Sequence, residues 1–191
     1  MDENAPRLVT RGQLFLLVFL ALCIALHPGL VFKRDESGMS NYGIHFETAI
    51  PYSLGLLCAS LYSLRAAALI RSSNPLGIHF RLVLRLFALV MVLVLLSTYG
   101  YKLNTVLDDL HVVANALTAV FETAATVWMF LSFNARRTMT IPLATELTGA
   151  ALVAATTTNS LHLLFLAEVL LGVGFGISLV QAGRSLADRL N

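Results

Sequence analysis

The chain has 191 residues, of which 57% are hydrophobic and only 13% charged, with a mean hydropathy of +0.77. Soluble domains carry about 25% charged and about 45–50% apolar residues, so the composition argues against a water-soluble fold or a separate soluble module. The net charge of +2 contains no long Lys/Arg run, which argues against nucleic acid as a partner.

A helix rises 1.5 Å per residue, so about 20 apolar residues cross a hydrocarbon core of roughly 30 Å. Six stretches reach that length, and an all-α polytopic bundle within one domain, 1–191, follows. The first span, 13–32, lies after Arg7 and Arg11, where a signal peptide would also place its charges. Its uncharged run is too long for such a segment, and no small-x-small cleavage site follows. Leu20-Ala21-Leu22-Cys23 also has a leucine where a lipoprotein signal needs a small residue, so the span reads as a retained helix. A long loop, 33–49, comes next, with turn chemistry in Arg34-Asp35-Glu36-Ser37-Gly38 and Ser40-Asn41-Tyr42-Gly43. Pro51 suits the first turn of the second span, 50–70, where its missing N–H is harmless. The second span and the third, 82–101, reach full length only by including Arg65 and Arg85. The fourth is 111–133. The fifth, 141–159, and the sixth, 161–182, are so close that they form a tight hairpin or one broken hydrophobic unit. No internal repeat is visible.

Cytoplasmic loops hold an excess of Lys and Arg. With the N-terminus inside, that side collects Arg7, Arg11, Arg71, Arg81, Arg136, Arg137, Arg184 and Arg189, with Arg65 and Arg85 leaning toward it. The other side has Lys33, Arg34 and Lys102, near Asp35, Glu36, Asp108 and Asp109. Ten against three predicts both termini in the cytoplasm, the long loop outside, and a place in the cell membrane. Trp128 and Phe133 at the inner end of the fourth span, and Tyr99 and Tyr101 at the outer end of the third, suit interfacial belts.

Polar residues within spans usually face protein or water rather than lipid. In the fourth span His111, Asn115, Thr118 and Glu122 recur at spacings of four, three and four, on one helical face. Val113, Leu117, Val120 and Val127 occupy the opposite face. The stripe is either a hydrogen-bonded packing seam or a path for protons or substrate. Counting along each helix puts Arg65, Glu122, Glu146 and Arg85 about 16–25 Å below the outer boundary. An inner charged cluster of these four would pair its charges and lock helix order. The alternative is that Arg65 and Arg85 snorkel to the inner headgroups.

His27, His45, His111 and His162 gather toward the outer side with Glu47, Asp108, Asp109 and Glu168. Such groups are competent Zn²⁺ ligands, but no two histidines lie at His-x3-His spacing on one helix, so whether they bind a metal stays open and ordinary interfacial histidines are the plainer reading. An outer vestibule is expected from Ser40, Asn41, His45, Glu47, Asp108, His162 and Glu168, roofed by the long loop. Cys23 and Cys58 each lie in an apolar stretch and read as two buried thiols, with a structural disulfide between them as the alternative; without a CxxC motif, redox chemistry has no support. Gly172 and Gly176 permit close helix approach, within the chain or to a membrane-protein partner or second copy. Leu171-Gly172-Val173-Gly174-Phe175-Gly176 is no phosphate loop, because it sits mid-membrane without a preceding strand.

Six spans, the loop Ser40-Asn41-Tyr42-Gly43 before Pro51, and Asp108-x-x-His111 entering the fourth span together resemble the damage-regulated autophagy modulator-type group and its uncharacterised bacterial look-alikes. The resemblance covers most of the chain in architecture and a handful of residues in motif. It implies a small membrane protein without established catalytic machinery, and it transfers no functional residues. A rhomboid-type protease would need a Gly-x-Ser-Gly nucleophile, which is absent. A haem would need axial histidines facing each other across the bundle. No catalytic residue and no cofactor is expected. The leading reading is an accessory or regulatory membrane component that meets the lipid bilayer and a partner. The alternatives are a small proton-coupled transporter using intramembrane glutamates, and an outer-facing metal- or haem-dependent enzyme.

Overall fold

A computed structural model describes residues 4–32, 38–71, 74–100, 105–133, 136–157 and 163–190. The elements in order are α1 (Asn4–Leu26), a 3₁₀ turn (Pro28–Phe32), α2 (Asn41–Ile44), α3 (Phe46–Leu69), α4 (Pro75–Gly100), α5 (Thr105–Ser132), α6 (Arg136–Thr157) and α7 (Leu164–Leu190). No strand occurs among the described residues. All but α2 are long and apolar enough to cross a membrane. The chain is therefore an all-α, multi-pass membrane bundle of six spans.

Lipid tails are as apolar as leucine, so the helices associate mainly through close packing of small residues. α1 lies along α3, where a Cβ on Gly12 would fall 2.9 Å from Tyr62 Cβ and one on Gly55 would fall 3.1 Å from Phe19 Cβ. α6 lies along α7 in a still tighter seam. A Cβ on Gly149 would come within 2.7 Å of the Ala167 carbonyl oxygen, and one on Gly174 within 2.7 Å of the Pro142 carbonyl oxygen. α4 and α5 join the halves, and α7 also touches α1 and α5. Aromatic rings fill the centre and one end: Phe87 and Phe121 meet Phe175, while Phe133 is flanked by Phe80 and Trp128. Phe133 is thus fully buried rather than interfacial. Tyr99, exposed, shares a 2.6 Å hydrogen bond with Ser53. Tyr101 lies outside the described residues.

The helix ends depart from the sequence reading. α1 starts at Asn4, since Arg7 and Arg11 are on exposed turns that tolerate charge. It stops at Leu26, just ahead of Pro28, whose ring disfavours a helical residue before it. Pro51 lies past the first turn of α3, in its interior, where one backbone hydrogen bond is forfeited. The long loop folds back onto the bundle through α2. Asn41, Tyr42 and Gly43 are buried there, Thr48 Oγ1 donates to the Tyr42 carbonyl at 2.7 Å, and the Tyr42 ring meets Phe165 edge-on. A Cβ on Gly43 would fall 2.5 Å from Thr98 Cγ2, so this close approach requires glycine. Burial, with the Cys23 thiol adding to it, raises the Tyr42 phenol above its ordinary pKa. Cys23 and Cys58 are free thiols.

Candidate functional site

α1 converges on α7 toward the end of the bundle that holds both termini, where Gly176 faces Gln13 and Gly183 faces Pro6. Toward the loop end the two helices part. Beside Gly172, one turn before Gly176, a Cβ would meet open space. The result is a cavity of about 600 Å³ with α7 as its floor and α1 and α5 as its walls. Ligand pockets typically span about 300–1,000 Å³. It runs from Glu168 to Arg184, about 24 Å at the helical rise. Its rim includes Leu14 and Leu17 of α1 and Val112 of α5, all well exposed, so the gap between α1 and α5 opens sideways toward lipid.

Most of the lining is apolar, and its polar groups fall in two places. At the loop end are Ser40, Tyr52, Asn115 and Glu168. The Glu168 carboxylate accepts a hydrogen bond from the Met39 backbone N–H, tying the loop to α7. The Tyr52 hydroxyl lies beside Thr98 and Ser40. The second group lies deeper: Glu122 on α5, Gln13 on α1 and Gln181 on α7. Gln13 is 7% exposed, and its Nε2 has no hydrogen-bond acceptor among the described residues.

The α5 stripe divides in function. Asn115, Thr118 and Glu122 line the cavity, whereas His111 is sealed into a hydrogen-bonded relay. Ser97 Oγ donates to the Val94 carbonyl at 2.9 Å and meets His111 Nδ1 at 3.0 Å. His111 Nε2 meets Asn115 Nδ2 at 3.0 Å, and that amide reaches Ser40 Oγ at 3.5 Å. The two ring nitrogens of His111 thus bridge Ser97 and Asn115. The relay couples α4, α5 and the loop. Thr118 donates its hydroxyl proton to the Ala114 carbonyl at 2.8 Å.

The four charges expected to cluster do not meet. Arg65 and Arg85 sit on exposed faces of α3 and α4, the position from which long basic side chains snorkel, while Glu122 and Glu146 are buried. Glu122 instead lies within electrostatic range of Glu146 and Glu168, so three helices bring three carboxyl groups together. Glu146, fully enclosed, packs its Cβ against Gly174. Its carboxylate lies beside the Thr126 hydroxyl of α5, and Ser178 Oγ on α7 lacks a hydrogen-bond partner among the described residues.

The expected outer vestibule divides as well. Ser40 and Glu168 line the cavity, and Asn41 is buried beneath the loop. His45 turns the other way and stacks on His27 at 4.9 Å, and His27 Nδ1 lies 3.6 Å from Glu47. Asp108 is half-buried in the first turn of α5, and His162 lies outside the described residues. His27 and His111 are held by different neighbours and do not face each other as axial ligands would. Among the described residues no group of three or more His, Cys, Asp or Glu is arranged to hold a metal ion. Gly176 is packed against Gln13 within the chain, and Gly172 lines the cavity.

Sequence reasoning missed Gln13, Tyr52 and Gln181. Gln13 had a signal, since it shares a helical face with Gly12 and Val9, both buried. Comparisons of the chain with protein-family models, with curated proteins and with solved structures gave no match.

Proposed function

We propose that this protein is an accessory or regulatory membrane component without catalytic machinery, which holds a membrane-borne ligand in the cavity between α1 and α5. The supporting observation is the cavity itself: about 600 Å³, open sideways, apolar along its length and polar beneath the loop. With both termini in the cytoplasm, as the Lys/Arg asymmetry indicates, the polar end is an outward-facing vestibule roofed by Met39 and Ser40. Such a plan agrees with the resemblance to the damage-regulated autophagy modulator-type group. The test is to purify the chain in mild detergent and analyse the organic extract by mass spectrometry. A small molecule near one per chain is expected from wild type and not from Gly172→Leu, whose side chain projects into the cavity. Identical extracts from the two proteins would remove the basis for this reading.

A second reading, a small proton-coupled transporter, is favoured by the gathering of Glu122, Glu146 and Glu168. Substrate uptake into proteoliposomes driven by a proton gradient would support it. Its absence, with ligand still bound, would leave the first reading alone.

A further inference from the structure

We propose that the ligand of this cavity is a lipophilic cation or amine whose charged nitrogen pairs with Glu122. This rests on the membrane-borne ligand reading and deepens it.

Three observations converge on that chemistry. The first is the charge on the walls. Among the described residues, the acidic and basic side chains lining the cavity are Glu122, Glu168 and Arg184, and Arg184 is exposed at the terminal mouth, about 24 Å along α7 from Glu168. The interior therefore presents carboxyl groups with no basic side chain beside them, and Glu146 adds a third within electrostatic range. The second is how those carboxyl groups are engaged. Glu168 is tied to the Met39 N–H, whereas Glu122, 6% exposed, faces the cavity with Thr118 one turn away already committed to the Ala114 carbonyl. A carboxylate at this depth is expensive unless a proton or a cation accompanies it. A ligand cation supplies that partner, and any proton it displaces leaves to water. The third is Gln13, nine-tenths buried on the opposite wall, with Nε2 lacking an acceptor. An oxygen acceptor on the same ligand would satisfy it. The remaining wall is apolar and suits a hydrocarbon or aromatic body.

The experiment uses the full chain in nanodiscs of zwitterionic lipid and three probes of similar shape: tetraphenylphosphonium, tetraphenylborate and neutral triphenylphosphine oxide. Binding is read by equilibrium dialysis against empty nanodiscs. Tetraphenylphosphonium should bind wild type, and roughly thirtyfold or more weaker to Glu122→Gln, the loss expected when one partner of a desolvated charge pair is removed. Gly172→Leu should abolish binding, and Ala116→Phe, on the α5 wall, serves as a second plug in case the first fails to fold. Equal affinity of wild type and Glu122→Gln for the cation would overturn the proposal. Plug-sensitive binding of tetraphenylborate or of the neutral probe in place of the cation would also overturn it, while leaving the cavity as a ligand site. If no probe binds in a plug-sensitive way, both the cation and the cavity reading fall.

Discussion

α7 has two faces that treat glycine in opposite ways. On the α6 side Gly174 lets two backbones approach until a single methyl group would strike the Pro142 carbonyl, and Gly149 does the same from the other helix. On the α1 side Gly172, only two residues earlier, faces space where a methyl group would touch nothing. One face is closed by contact and the other held open beside a cavity. The difference teaches that small residues in a membrane helix do not by themselves mark a packing seam. What decides is whether the neighbouring helix follows the same line, as α6 does and as α1, splayed from α7 at its loop end, does not.

The largest expected effect is at the seam. Gly174→Leu places a side chain against backbone that cannot yield, at a cost of about 3 kcal/mol or more. It should move the protein from a single gel-filtration peak into aggregate, and a monodisperse variant with wild-type thermal stability would show that the seam is not closed. Gly172→Leu should change thermal stability by no more than about 1 kcal/mol, the scale of the helix-propensity gain alone, while ligand is lost. Severe destabilisation there would mean that the space beside Gly172 is not real.

A smaller effect is expected at the roof. Glu168→Ala removes the acceptor for the Met39 N–H, and an unsatisfied buried donor costs about 1–3 kcal/mol. The loss should be local, seen as faster protease cleavage around Gly38 with little change in global unfolding. Unchanged cleavage would separate the loop from α7. Of similar size, His111→Ala breaks the contacts to Ser97 and Asn115, about 1 kcal/mol for each net hydrogen bond. Thermal melts of His111→Ala and Ser97→Ala should therefore be similar and the double variant less than additive. Full additivity would mean that the two residues act independently.

Much of the helical framework was legible in the sequence. Span length and hydropathy defined the six helices, and the four-three-four spacing in α5 put Asn115, Thr118 and Glu122 on the cavity side, with Val113, Leu117 and Val120 exposed opposite them. The charged residues were misgrouped because depth along a helix says nothing about direction around it. The direction was available in α4, where the buried positions Phe80, Val83, Leu84, Phe87, Ala88 and Met91 form a stripe that leaves Arg85 outside. The cavity itself was not legible. A cavity is set by the angle between α1 and α7, which depends on contacts such as Gln13 over Gly176 and Gly12 against Tyr62, between residues far apart in the chain. Glu146 was grouped with Glu122 from depth alone, but as part of an arginine-paired cluster, and Glu168 was not foreseen beside them. The place of Glu146 follows from the α6–α7 seam, which the sequence offers only as scattered glycines.

The open gap between α1 and α5 is tested most directly by a spin label on Gly172→Cys, in a Cys23→Ala/Cys58→Ala background reconstituted into bilayers. Its collision rates with molecular oxygen, which concentrates in lipid, and with a water-soluble nickel chelate would be compared with those of a label on the lipid-facing Val120→Cys. A laterally open cavity predicts that oxygen reaches the label at 172 nearly as well as the one at 120, and that a bound ligand reduces this access. A label at 172 shielded from oxygen without any ligand would contradict the account, because it would mean that α1 and α5 close over α7.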